Sequence, residues 1–279
     1  MDYIRGRQSM MTTRRISFGW LASWVLTGAI ALTPAWAADT AAENAAMSKT
    51  TPVVERMADR VLRAATDLLK NAKGFTIETN VSYDELLESG IMVQYSRYST
   101  VTVRRPDRIY AEVTDDLSEF RLWFDGKTAT VYKPASNLYA QTKVTGSIDQ
   151  FIDTLHDEYG VVAPIADILV NDPYANFTEG LYAGYYAGLN LVNRERAHHL
   201  VFTNEAVDFQ LWVAEEGRPV LKRAVITFKN QKGSPQWMAD FLSWDFDTNA
   251  PDSNFIFNPP DGAEQIEFLS RASTGGAQQ

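Results

Sequence analysis

The chain has 279 residues, none of them cysteine, and carries 35 acidic residues against 26 basic ones, a formal net charge of −9. A disulfide framework and a thiolate metal site are therefore excluded. The acidic balance disfavours nucleic acid, whose recognition needs a basic surface, and simple electrostatic docking on anionic lipid.

The first 37 residues read as an address rather than as structure. Arg5, Arg7, Arg14 and Arg15 form a positive region, Phe18 to Leu32 an apolar run, and Ala35-Trp36-Ala37 an A-x-A cleavage site. At about 15 residues the run is short for the ~20 that a bilayer span needs, so a cleaved signal peptide is expected rather than an anchor. Ala38 stands where a lipid-anchored bacterial protein has cysteine, so the exported chain is expected to be soluble in the periplasm. Without the four Arg and one Asp of the leader, it holds 22 basic and 34 acidic residues, a net charge of −12.

Residues 38–51 are Ala-rich and polar and read as a flexible tether. The single domain is expected over 52–269, with a disordered tail at 270–279. From Pro52 the stripe Val54, Met57, Ala58, Val61, Leu62, Ala65, Leu68 and Leu69 predicts a helix lying on a sheet, ended by Gly74. Strands follow by alternation and β-propensity: Phe75 to Tyr83, Ile91 to Val103, Arg108 to Val113, Glu119 to Asp125, Thr128 to Lys133 and Leu138 to Lys143. Asp125-Gly126 is a hairpin signal.

The pattern then changes. Ile148, Phe151, Ile152 and Leu155 are spaced i, i+3, i+4, i+7, one face of a helix, with Ser147 as its cap and Gly160 past its end. A second helical turn is expected over Pro164 to Val170. Tyr174 to Tyr186 is rich in Tyr, Ala and Gly and carries no clear period. Alternation returns in Gly188 to Val192, Arg196 to Asn204, Val207 to Ala214, Leu221 to Lys229 and Trp237 to Asp247, and Phe255 to Phe257 predicts a short last strand. No tandem repeat is present.

About eleven antiparallel strands without crossover helices imply a mainly β fold with some α. The expected form is an unclosed, strongly curved antiparallel barrel covered by the N-terminal helix and a helical lid. Large apolar groups share single faces in Phe120, Leu122, Phe124; in Phe209, Leu211, Val213; and in Leu242, Trp244, Phe246.

Little in the sequence suggests catalysis. No G-x-S-x-G elbow, phosphate loop or H-E-x-x-H occurs. His198 and His199 are adjacent in a strand and point to opposite faces, which reads as one core and one surface histidine. His156 at a helix end suits the dipole. Asp245, Asp247 and Asn249 imitate the start of a calcium loop, but Ala250 and Ile256 replace its Gly and Glu. Asp115-Asp116 and Glu215-Glu216 read as solvated turn tips. Neither a metal nor another cofactor is expected, and an enzyme is not the favoured reading.

Three motifs recur in one order: Val103-Arg104-Arg105-Pro106 at the end of a long strand; Asp125-Gly126-Lys127-Thr128 followed by Val131-Tyr132-Lys133-Pro134; and Phe255-Ile256-Phe257-Asn258-Pro259-Pro260-Asp261-Gly262. Together, over about Met57 to Glu264, they resemble the periplasmic lipoprotein carrier LolA and its relatives, among them LolB and an uncharacterised family predicted to be periplasmic. The resemblance implies an unclosed barrel whose helical lid covers a hydrophobic cavity for acyl chains. It places that family's lid-holding arginine on Arg105, with Arg104 at the site of another basic residue.

Leu122, Phe124, Leu211 and Phe241 are the expected lining on the sheet, and Ile148, Phe151, Ile152 and Leu155 on the lid. Burial of a chain at about 0.8 kcal/mol per CH2 needs no charged anchor. The expected role is a monomeric carrier of a lipid or acylated protein, with a membrane-bound protein as donor or acceptor. The alternative is a periplasmic sensor or interaction module of the same fold, binding a lipid ligand or a regulatory partner.

Overall fold

The alternating segments join into one sheet of thirteen strands in a computed structural model that describes residues 53–159 and 164–268. The leader, the tether, the tail and Gly160 lie outside the described residues. The strands are β1 (Val53–Val54), β2 (Gly74–Leu86), β3 (Met92–Arg104), β4 (Arg108–Asp115), β5 (Glu119–Phe124), β6 (Thr128–Lys133), β7 (Leu138–Lys143), β8 (Leu181–Val192), β9 (Glu195–Asn204), β10 (Val207–Ala214), β11 (Leu221–Phe228), β12 (Gln236–Asp245) and β13 (Glu264–Ile266). Among the described residues three α-helices accompany them: α1 (Arg56–Asn71), α2 (Ile148–Asp157) and α3 (Pro173–Thr178). A 3-10 turn, Pro164–Ile168, lies between α2 and α3.

The strand order is β1-β8-β9-β10-β11-β12-β2-β3-β4-β5-β6-β7-β13. Strands β7 and β8 follow one another in the chain but stand next to opposite edges of the sheet. The segment between them, which carries α2, the 3-10 turn and α3, must therefore pass from one edge to the other. That is how an insert becomes a lid: the unclosed seam of the sheet is spanned by the connection that the topology leaves over it. Helix α1 packs on β8, β9 and β10 and against α3. Its buried face is Ala58, Val61, Leu62, Ala65, Thr66 and Leu69.

Several expectations need correction. The stretch through Val54 is not helical. Val53 and Val54 form β1, parallel to β8 at Ala183 and Gly184. The Glu55 N–H donates to the Gly184 carbonyl at 2.9 Å and its carboxylate accepts from Tyr186 N–H at 3.0 Å, so pairing holds this segment extended. Gly74 does not end α1, whose C-cap Ala72 is extended. Gly74 opens β2, where a Cβ would stand 2.7 Å from the Val103 carbonyl oxygen.

The unassigned stretch Tyr174 to Tyr186 becomes α3 and the first half of β8. Asp172 caps α3 by accepting from Ala175 N–H at 3.1 Å, with Pro173 at the first turn. Two register shifts in β8, between Leu181 and Ala183 and between Tyr186 and Gly188, break the alternation a strand shows when read by itself.

Phe255 to Phe257 is not a strand. Asp252–Phe255 is a 3-10 turn, and the Phe257 ring sits against Trp123 (4.9 Å), Tyr139 (5.0 Å) and Tyr132 (5.8 Å). The last strand is β13, parallel to β7 and exposed throughout, so no periodicity marked it.

The face Leu242, Trp244, Phe246 is also revised. A bulge in β12 between Phe241 and Ser243 leaves Leu242 50% exposed and brings Phe241 onto the face of Trp244 and Phe246. Asp115 is no solvated tip. Its side chain is 2% exposed and accepts from Arg97 Nε at 2.7 Å and from Tyr83 Oη at 3.0 Å.

Candidate ligand cavity and its lid

The lid begins where the sequence predicts it. Ser147 and Gln150 form a capping box: Ser147 Oγ accepts from Gln150 N–H at 3.4 Å and Gln150 Oε1 from Ser147 N–H at 2.8 Å. The helical spacing turns Ile148, Phe151 and Leu155 into the core, with Ile152 half-buried beside them. Phe151 stacks on Phe124 of β5 at 4.4 Å and 10°.

Arg105 holds the other end of the insert. It follows the last residue of β3, and its peptide bond to Pro106 is cis. Nη1 donates to the Leu169 carbonyl at 2.9 Å and to Asn171 Oδ1 at 3.3 Å. Nη2 donates to the Val170 carbonyl at 2.9 Å and, more weakly, to the Leu69 carbonyl of α1 at 3.4 Å. A planar fork with five donors is suited to this, because one side chain reaches carbonyls from two segments. Nε is buried without a hydrogen-bond partner among the described residues. Burial pulls the guanidinium pKa down, and the nearby Asp149 carboxylate opposes that. Asp149 also accepts from Asn171 N–H at 2.8 Å and Asn171 Nδ2 at 3.0 Å, so α2, Asn171 and Arg105 form one chain of polar contacts.

Arg104 does something else. Its Nη1 donates to the Ala250 carbonyl at 2.9 Å, it pairs with Asp252, and it stands 5.0 Å over the Phe255 ring. Neighbouring residues of a strand point to opposite faces. One arginine therefore serves the lid and the other the C-terminal segment.

Further polar contacts tie α3 to α1. Lys70 Nζ lies 2.7 Å from Asp172. Tyr174 Oη donates to Asp59 at 2.5 Å and accepts from Arg63 Nη2 at 2.5 Å, with the Arg63 guanidinium 3.9 Å from the Tyr174 ring. Burial, then the Asp59 carboxylate, pushes the Tyr174 phenol up to about 12.

Beneath the 3-10 turn and α3 lies an apolar cavity of about 20 Å³. Phe209, Leu211, Trp237 and Phe241 line it from the sheet, and Ile168 and Phe177 from the lid. This is room for about one water, not for an acyl chain, so the lid is closed. Of the eight expected lining residues, Leu211 and Phe241 are on its wall. Phe124, Ile148, Phe151 and Leu155 are buried elsewhere in the same core, and Leu122 and Ile152 are half-buried against it.

The lid's contribution to the wall was missed. Ile168 sits in the turn the sequence did predict, but Phe177 lies in the stretch without a period. The two strand histidines point to opposite faces as expected, but neither is a core or a surface residue: both are half-buried, with His198 Nδ1 2.8 Å from Tyr186 Oη and His199 stacked on Trp212 at 4.1 Å. Among the described residues no group of three His, Asp or Glu could hold a metal, and no helix is long and apolar enough to cross a membrane.

A single open antiparallel sheet, curled about one apolar core and covered by a helical lid that an arginine pins from the sheet, defines an unclosed half-barrel with a helical cover. The chain belongs to the family described as predicted periplasmic protein (DUF2092), whose model matches residues 58–269. No curated protein sequence matches it.

Solved structures similar to it include the lipoprotein LppX of Mycobacterium tuberculosis, at 16% identity and TM-score 0.44, covering 71% of this chain and 100% of that one. A LolA superfamily protein, NE2245 of Nitrosomonas europaea, matches at 12% identity and TM-score 0.35, covering 72% and 97%. The Pseudomonas aeruginosa MucA/MucB complex matches at 11% identity and TM-score 0.38, covering 72% and 61%.

Proposed function

We propose that this protein is a soluble periplasmic carrier that binds a lipid or lipid-modified protein in the apolar space under its lid, with Arg105 as the latch. The observation that carries the reading is the Arg105 fork, which bonds the carbonyls of Leu169 and Val170 directly above an apolar core. A charge-assisted hydrogen bond contributes about 1.5–3 kcal/mol at most. Burying the methylenes of a long acyl chain, at about 0.8 kcal/mol each, contributes on the order of 10 kcal/mol. An entering chain can therefore displace the latch, and the empty protein closes again.

The test is native mass spectrometry of the protein purified from the periplasm. A co-purifying lipid or acylated peptide supports the carrier. Its absence, with no uptake of a fluorescent acyl probe by the purified protein, sinks it.

A second reading is a sensor or interaction module of the same fold. It draws on Tyr185, Leu189 and Leu191 of β8, apolar side chains exposed to water. Charge substitutions there should abolish binding of a regulatory partner while leaving probe uptake intact.

A further inference from the structure

A second, wider cleft lies outside the lid, at the end of the sheet where the β10–β11 turn, the start of β9 and the end of β12 meet. It encloses about 610 Å³. Its floor is aromatic: Phe241, Trp244 and Phe246 stack in succession at 5.4 and 5.6 Å. The β12 bulge places Leu242 in its wall, half exposed.

Phe241 belongs to two spaces. It is 4% exposed, and it lines both this cleft and the small cavity under the lid. Trp244 supports the same partition, since its indole N–H donates to the Leu221 carbonyl at 2.8 Å, and Leu221 also lines the inner cavity. One aromatic side chain at a bulge thus separates an open cleft from a closed apolar core.

The rim carries three cations and three carboxylates. Two pairs neutralise one another: Arg196 with Glu215 at 3.0 Å and Lys222 with Glu195 at 2.5 Å. Arg218 and Glu216 remain. Both line the cleft, and among the described residues neither forms an ion pair. Arg218 stands 5.3 Å over the Phe246 ring. The residual pattern is one positive and one negative charge beside an aromatic floor.

The geometry points to this cleft as the entry port and headgroup site for a zwitterionic amphiphile. The phosphate would be held by Arg218 and the ammonium by Glu216, with the acyl chain passing Phe241 into the space under the lid. This rests on the carrier reading and names the ligand class and route for it. A guanidinium suits a phosphate by fork geometry. The bulge suits a gate, because the residue it extrudes leaves the ladder beside Phe241 incomplete.

The absence of cysteine makes the test clean. The probe is a single-chain phosphoethanolamine lipid kept below its micelle concentration, with the phosphoglycerol lipid of equal chain length as comparison. Arg218→Glu should weaken binding of the first at least tenfold. Glu216→Lys should weaken the first and strengthen the second. Leu242→Cys carrying a bulky maleimide should lose uptake, while Leu117→Cys, labelled alike on the exposed β4–β5 turn, should keep it.

Unchanged affinity in both charge variants, with uptake through a labelled Leu242→Cys, overturns the port and leaves the carrier standing. Failure of the wild-type protein to bind either lipid or a fluorescent acyl probe overturns both.

Discussion

Phe124 of β5 and Phe151 of α2 stack face to face, 4.4 Å between centroids and 10° between planes. Both are buried, so α2 is fastened by packing. Beyond α2, polar contacts fasten the lid: Arg105 to Leu169, Asn171 and Val170, and Lys70 to Asp172. The small cavity lies under this second part. The lid therefore has a packed end and a hydrogen-bonded end, and the two should respond differently to perturbation.

Phe151→Ala should lower stability by about 3–5 kcal/mol, the usual cost of a buried Phe truncation. Urea unfolding measures it. A loss under 1 kcal/mol would mean that α2 is not anchored through this stack.

Arg105→Leu should free the lid with a small change in thermal stability. Amide exchange should rise across the 3-10 turn and α3. Arg104→Leu should instead raise exchange around Asp252 and Phe255, which Arg104 holds. Arg105→Lys should restore protection only in part, since an ammonium lacks the planar fork. If the two arginine variants give the same exchange pattern, the latch is not at Arg105.

Acid should loosen α3 before α2. Hydrogen bonds from Lys70 and Ala175 N–H hold the Asp172 pKa below 3.8. For Asp59, burial alone would raise the pKa, and the bonds from Arg63 and Tyr174 together outweigh it. Because both folded values are depressed, the stabilisation is present above 3.8 and is lost as pH falls through the folded values. These groups face water, so the global effect should be small. Amide exchange at about pH 5 and about pH 3 tests it, and equal loss of protection in α2 and α3 counts against a separately opening lid.

Asp115→Ala should destabilise by about 1.5–3 kcal/mol, because it removes the buried carboxylate that accepts from Arg97 and Tyr83, while the part-exposed Arg97 can still be hydrated. Asp116→Ala, at the exposed neighbour whose carboxylate accepts from Ser96 N–H at 2.7 Å, should cost less, about 1 kcal/mol. Equal effects in thermal unfolding would show that Asp115 behaves as the turn tip its sequence context suggests.

The exported protein should begin near Ala38, a position outside the described residues. N-terminal sequencing of the periplasmic form decides between cleavage and an anchor that retains Phe18 to Leu32.

The sequence by itself determined the sheet class, most strand positions, the capped helix α2 and Arg105 as the residue to watch. The first three rest on local rules, side-chain period and cap chemistry; Arg105 was marked only by the resemblance of Val103-Arg104-Arg105-Pro106 to a motif of the LolA family. Tertiary structure alone decided the rest. Alternation tells which residues of a strand share a face, but a bulge changes the phase, and the pairing that tolerates the bulge comes from β2 on the far side of the chain. That is why Phe241 joins Trp244 while Leu242 goes to water. Likewise β1 and β13 are strands because β8 and β7 offer them edges, Asp115 is buried because Arg97 lies across from it, and Phe177 reaches the cavity because β7 and β8 stand at opposite edges of one sheet. Periodicity reports that a side chain will be buried. Which side chain it then meets depends on long-range pairing, which no local pattern encodes.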